Sequence, residues 1–103
     1  MIVRVWQAEA TRDKAPAYRA HLESSVFPQL RALDGFVGAE LLEHADDDRV
    51  EILVMSRWDS MDAVRGFAGA EPGRAVVEPH AQAVLTSYSD TVRHFEIAAE
   101  ARP

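Results

Sequence analysis

The sequence predicts a two-layer α+β domain with the element order β-α-β-β-α-β, and three observations predict it. β-prone runs stand near both ends of the chain, at 2–8 and 86–97. After the first run, Ala15, Tyr18, Leu22, Val26, Leu30 and Leu33 recur at steps of three and four, which places them on one side of a helix. Two further apolar runs, 36–44 and 50–58, are separated only by the polar stretch Ala45-Asp46-Asp47-Asp48-Arg49. So short a connection makes a hairpin, and a hairpin makes the sheet antiparallel.

Each element has its own justification. Residues 2–8 are short, apolar and β-prone. Asp13 is the expected N-cap of the first helix, which puts Pro16 at the third helical position, where its missing N–H costs little. Pro28 lies within the apolar stripe and is expected to kink the helix near residues 24–27. Gly35 is the expected stop. After the hairpin, Asp59 or Ser60 caps a short helix that carries Met61, Val64 and Phe67 on one side. Glu71-Pro72-Gly73 is expected to start another helix with Pro72 at its first position, and Pro79 to interrupt it. The last strand, 86–97, is expected to bend near Ser89-Asp90. No repeat or linker divides the chain, so residues 1–97 form one domain and 98–103 a tail.

Composition narrows the functional classes. A chain of 103 residues fits one domain and can bury roughly two-thirds of its unfolded surface. Its 11 basic and 17 acidic residues give a net charge of −6, which argues against nucleic acid as a partner, since phosphate binding wants a basic face. There is no Cys, so disulfides, thiolate chemistry and cysteine-ligated zinc are excluded. The N-terminus has no apolar stretch behind a basic one, and no run approaches the ~20 apolar residues of a membrane span. The expectation is a soluble cytoplasmic protein.

The strands carry a second message. A sheet with helices on one face and water on the other should alternate apolar and polar residues. Here Val50, Ile52 and Val54 point one way while Leu53 and Met55 point the other. Ile2 and Trp6 oppose Val3 and Val5, and Phe36 and Leu42 are expected to oppose Val37, Ala39 and Leu41. The chain has helix enough for one face only, so a second copy is expected to cover the other.

A third strand ending Arg57-Trp58-Asp59-Ser60, then Ala63 and Phe67, then a proline-broken helix and a closing Val92-Arg93-His94-Phe95-Glu96-Ile97 resembles the antibiotic biosynthesis monooxygenase domain. Gly35-Phe36 before the second strand fits as well, and the likeness covers about residues 1–97. The resemblance implies a ferredoxin-like fold with a four-stranded antiparallel sheet, paired across a homodimer into a dimeric α+β barrel, with a pocket between each sheet and its helices. It also implies activities: cofactor-independent oxygenation of polyketide or quinol substrates in some members, haem degradation in others. Aligned on Trp58 without gaps, the three characteristic positions of the haem-degrading branch are occupied here by Gln7, Phe67 and Val77; a three-residue gap would bring His80, beside Pro79, to the haem-ligand position. The Asn and Tyr of the quinol-oxygenating branch correspond to Val54 and Val64. Of these branch residues, Trp58 alone carries over.

Two functional readings follow from these residues. In one, the chain is a small oxygenase without cofactor that acts on a hydrophobic aromatic or polyketide-like molecule. A general base makes a substrate carbanion that reacts with dioxygen in a dry pocket. His80, beside the helix-breaking Pro79, is the expected base, and Trp58, Trp6, Tyr88 and Phe67 are the expected walls. In the other, the same barrel binds a small molecule or a partner without catalysis. Trp58 has a structural alternative, a plug at the strand–helix corner. Among the remaining His, His21 and His44 read as exposed and His94 as an interface or surface residue. No metal spacing links the four His to each other or to carboxylates, so no metal is expected. Arg4, Gln7, Glu40 and Arg57 are polar residues in apolar strands, which must find partners or line a wet pocket.

Overall fold

A computed structural model describes residues 1–103. β1 (Ile2–Thr11) runs into α1 (Ala15–His21), a π-helical turn (Leu22–Val26) and α2 (Phe27–Arg31). β2 (Phe36–Asp46) and β3 (Arg49–Trp58) form the hairpin, followed by α3 (Met61–Ala68), α4 (Pro79–Val84), β4 (Ser87–Tyr88) and β5 (Arg93–Glu96). The sheet order is β2-β3-β1-β4, with β5 also pairing β1, and every pairing is antiparallel. This is the expected ferredoxin-like order: the chain's first strand lies between the hairpin and the closing strands. No helix is long and apolar enough to cross a membrane.

Local chemistry explains most boundaries. The hairpin turns at Asp47, whose φ of 53° is a left-handed conformation that Asp tolerates better than most residues. Ser60 caps α3 by accepting the Ala63 N–H at 3.2 Å. Gly35 has φ +80°, and a Cβ there would stand 2.5 Å from the Cβ of Ala63, so both the backbone and the close approach of α3 require glycine. Where Pro28 was expected to kink the helix near residues 24–27, the chain forms the π turn at Leu22–Val26. There the Phe27 N–H reaches back five residues to the Leu22 carbonyl, and the Ser24 hydroxyl donates to the Ala20 carbonyl at 2.7 Å. One extra residue per turn makes room for the ring of Pro28 and for an N–H it cannot supply.

Three expectations are corrected. Lys14, not Asp13, is the residue before α1, and Pro16 is its second residue; the Asp13 carboxylate instead accepts from the Thr11 hydroxyl. No helix starts at Pro72: residues 69–78 form a loop, and Pro79 begins α4 instead of interrupting it. Both prolines suit the first turn of a helix, but the Pro72, Gly73 and Arg74 carbonyls are taken by Arg4 and the Val92 N–H, which holds this stretch as a loop. Phe36 does not share a face with Leu42. A β-bulge between Phe36 and Gly38 shifts the register, so Phe36 joins Ala39 and Leu41 on the helix side and Val37 falls outside the alternation.

The helix side of the sheet holds the core. One cluster gathers Ala8, Ala10, Val50 and Ile52 from the strands with Ala15, Tyr18 and Leu22 from α1 and the π turn and Ala81 from α4. A second gathers Leu30, Trp58 and Val64. The opposite face of the sheet carries Val3, Val5, Leu53, Met55, Leu42 and Phe95, as the strand registers require. No element of the chain covers it, and Leu42 and Phe95 are 45% and 42% exposed. An ion pair between Arg57 and Glu40 borders it.

Candidate functional site: a cavity between sheet and helices

A cavity of about 360 Å³ opens between the two core clusters. Its floor comes from alternation along two strands: Arg4 pairs across with Ser56 and Trp6 with Val54, and all four point to the helices. Tyr18, His21 and Leu22 roof one end, and Val26, Phe27, Leu30 and Leu33 the other. Gly66 and Phe67 of α3, the loop residues Val76, Val77 and Glu78, Ala81 of α4 and Val92 close the sides. The π turn lies in the middle of the roof, where it re-aims the side chains on either side of it.

The polar groups in this mostly apolar space are few. His21 is buried, not exposed as the sequence suggested, at 7% exposure. Its Nε2 stands 3.9 Å from the Glu78 carboxylate, and its ring lies 5.0 Å from that of His80. Position 21 falls between Tyr18 and Leu22 on the stripe, and that periodicity was the signal for its burial. Burial alone pushes the Tyr18 hydroxyl upward from its ordinary pKa, so it stays protonated and available as a donor. Arg4 is 5% exposed, and desolvation lowers it to about 10, which leaves it a cation at neutral pH. It donates to the carbonyls of Pro72 at 2.6 Å and Arg74 at 3.3 Å, and Nη1 lies 3.0 Å from His94 Nε2. His94 therefore sits on the helix side beside Arg4, not on the uncovered face. Desolvation first, and the Arg4 charge second, hold its pKa down, which favours the neutral ring that can accept from Arg4.

The five residues expected at the site divide. Trp6 and Phe67 line the cavity. The Trp6 indole N–H donates to the Ser89 carbonyl at 2.7 Å, which fixes its ring beside Tyr18. Tyr88 stands behind Trp6, with centroids 6.4 Å apart, and is not a wall. His80 is exposed and outside the cavity; it reaches the site only through its contact with His21. Trp58 has no exposed surface and does not line the cavity. It stacks on Phe67 at 5.8 Å, meets Phe36 edge-on at 5.3 Å, and donates to the Ser56 hydroxyl at 2.9 Å. Sequence reasoning missed His21, Tyr18 and Glu78 as site residues. It left Arg4 as a polar residue awaiting a partner, although Arg4 lies two residues before Trp6 and so shares its face. No group of three or more His, Asp or Glu is placed to hold a metal ion.

An antiparallel sheet in this order with helices on one face and an apolar cavity between them defines an α+β domain of the ferredoxin-like fold. Residues 1–83 match the antibiotic biosynthesis monooxygenase family, and the chain belongs to it. Solved structures agree on the fold. The monooxygenase of the ActVA-Orf6 gene of Streptomyces coelicolor, in complex with nanaomycin D, superposes with a TM-score of 0.65 at 17% identity, over 99% of this chain and 91% of that one. The cofactor-independent oxygenase SnoaB of Streptomyces nogalater gives 0.61 at 18%, over 96% and 95%. The haem-degrader MhuD of Mycobacterium tuberculosis, with two haems bound, gives 0.63 at 19%, over 99% and 100%. No curated protein matches the sequence.

Proposed function

We propose that the chain is a cofactor-independent monooxygenase of a hydrophobic, aromatic or polyketide-like molecule. The observation that carries this reading is a single buried imidazole, His21, facing an apolar cavity with a carboxylate, Glu78, beside it. The volume suits a molecule of two or three fused rings. His21 takes a proton from an activated ring methylene, and Glu78 stabilises the imidazolium that forms. The carbanion gives its electrons to dioxygen, forming one C–O bond. The peroxide takes up a proton, and loss of water with the second methylene hydrogen leaves a carbonyl. The sum is CH2 + O2 → C=O + H2O, in which the substrate is its own reductant. The protonated Tyr18 hydroxyl can donate to the oxygen on which carbanion charge gathers. His80, exposed and against His21, is placed to pass the proton to solvent.

The test is oxygen uptake with a neutral hydroxyanthrone as substrate. One dioxygen consumed per quinone formed, at a rate proportional to enzyme, is the expected result; a rate equal to the uncatalysed one removes the reading. A second reading, binding without catalysis, is favoured by Val54 and Val64 at the positions where the resemblance places the quinol branch's Asn and Tyr. It predicts a raised melting temperature with hydroxyanthrone and no oxygen uptake. Haem degradation has less support, because Gln7, Phe67 and Val77 replace that branch's residues.

We also infer that a second copy covers the open sheet face, giving a homodimer and the barrel the family resemblance implies. An uncovered face with Val3, Val5, Leu53 and Met55 at its centre supports this. Light scattering at micromolar concentration is expected to give twice the chain mass. Leu53→Glu, at the middle of that face, is expected to shift the mass toward one chain; a folded wild-type monomer would exclude the barrel.

A further inference from the structure

We propose that Arg4 is the anion-recognising residue of the cavity, and that the ligand is a flat aromatic acid whose carboxylate sits against the Arg4 guanidinium. The inference rests on the cavity being a small-molecule site, but not on turnover. Burying a cation is costly unless an anion or a full set of acceptors meets it. Six arginines, Arg19, Arg49, Arg57, Arg65, Arg74 and Arg102, pair with carboxylates near the surface. Arg4, the buried arginine, pairs with none. Its partners are two carbonyls and an imidazole, all of which leave its charge uncompensated.

A guanidinium has five N–H groups in a planar fork suited to a carboxylate. The three contacts of Arg4 lie on Nη1 and Nη2, so Nε–H and the second N–H of Nη2 make no hydrogen bond within the protein. The Arg74 contact is long at 3.3 Å. The guanidinium carbon stands 5.6 Å from the centre of the Phe67 ring, which orients the fork. Next to it, the Ser56 hydroxyl accepts from Trp58 and so keeps its own O–H free to donate toward the cavity. Cation, hydroxyl donor and apolar walls together select an acid on an aromatic frame over its neutral analogue. The alternative role for Arg4 is to tether the 69–78 loop through the Pro72 and Arg74 carbonyls. A tether needs the positive charge for no ligand, and the two roles separate by experiment.

The test compares anthracene-2-carboxylate with anthracene-2-carboxamide by fluorescence titration of the full chain at neutral pH. The wild type is expected to bind the acid about tenfold or more tightly than the amide, as charge-assisted hydrogen bonds allow. Arg4→Met is expected to remove that preference while holding the amide about as before, and Arg4→Lys to keep part of it. Thermal melts check that both variants fold. Should Arg4→Met fail to fold, the wild-type ratio and a shift of the Arg4 Nε–H resonance on adding the acid decide the matter. Equal binding of acid and amide by the wild type, no binding of either, or a preference that survives in folded Arg4→Met overturns the proposal. Neither probe has an oxidisable methylene. An acid preference without oxygen uptake on hydroxyanthrone therefore keeps this inference and removes the oxygenase reading, and the reverse result does the opposite.

Discussion

Trp58→Ala is expected to destabilise the chain by about 3–5 kcal/mol, the usual cost of truncating a fully buried aromatic, against a total of roughly 5–15 kcal/mol for a domain. The indole has no exposed surface and is held on three sides: Phe67 stacked, Phe36 edge-on, and Leu30 and Val64 packed against it. Truncation leaves a hole bounded by the end of β3, α2 and α3. Trp58→Phe keeps a ring between Phe36 and Phe67 and loses only the outer ring and the N–H to Ser56. Its cost is expected to be the smaller, and the Ser56 hydroxyl it leaves unpaired borders the cavity, where water can reach it. Urea or guanidinium denaturation reads both variants as midpoint shifts at constant slope. A Trp58→Ala chain as stable as the wild type would mean that the indole faces open space. Ligand affinity should fall in both variants through Phe67, which lines the cavity and rests on Trp58.

Trp58 also marks where the sequence was legible and where it was not. Its place at the end of a strand left it between a cavity wall and a corner plug, and only its packing between Phe36 and Phe67, away from the cavity, separates the two. The α1 stripe, Gly35 and the hairpin were legible from local pattern, because one period or one backbone requirement decides each. Pro72 and Pro79 were not separable in this way. Both fit the first turn of a helix, and the choice between them was made by what the 69–78 loop does at a distance: the Pro72 and Arg74 carbonyls are taken by Arg4, and Val92 N–H reaches the Gly73 carbonyl. The bulge at Phe36 and Gly38 moves Phe36 to the other face, and its one local sign is Gly38, a glycine inside a strand. At the site, Trp6 and Phe67 followed from periodicity. His80 was favoured over His21 because a broken helix suggested a pocket mouth. The stripe Tyr18-x-x-His21-Leu22 already placed His21 inward, and a polar residue on an apolar stripe was the stronger sign.

The largest functional effect is expected at His21. Its imidazole is the only one on the cavity wall, and Glu78 at 3.9 Å is the carboxylate that can stabilise its protonated form. Replacing a positioned general base typically costs about 10²–10⁴ in rate. His21→Gln keeps a side chain of similar reach and hydrogen-bonding capacity but cannot take up a proton. In the hydroxyanthrone assay it is expected to lower kcat about 100-fold or more, while KM and the melting temperature stay close to wild type. His80→Ala removes an exposed ring that touches His21 but not the cavity. It is expected to slow turnover less than His21→Gln does, since solvent can replace it as proton acceptor. If His21→Gln turns over at the wild-type rate while His80→Ala does not, the base is the outer ring, and the cavity must open at α4 to admit it. If neither variant changes the rate, the proton leaves by another route and the His21–Glu78 pair serves the packing of α1 against α4.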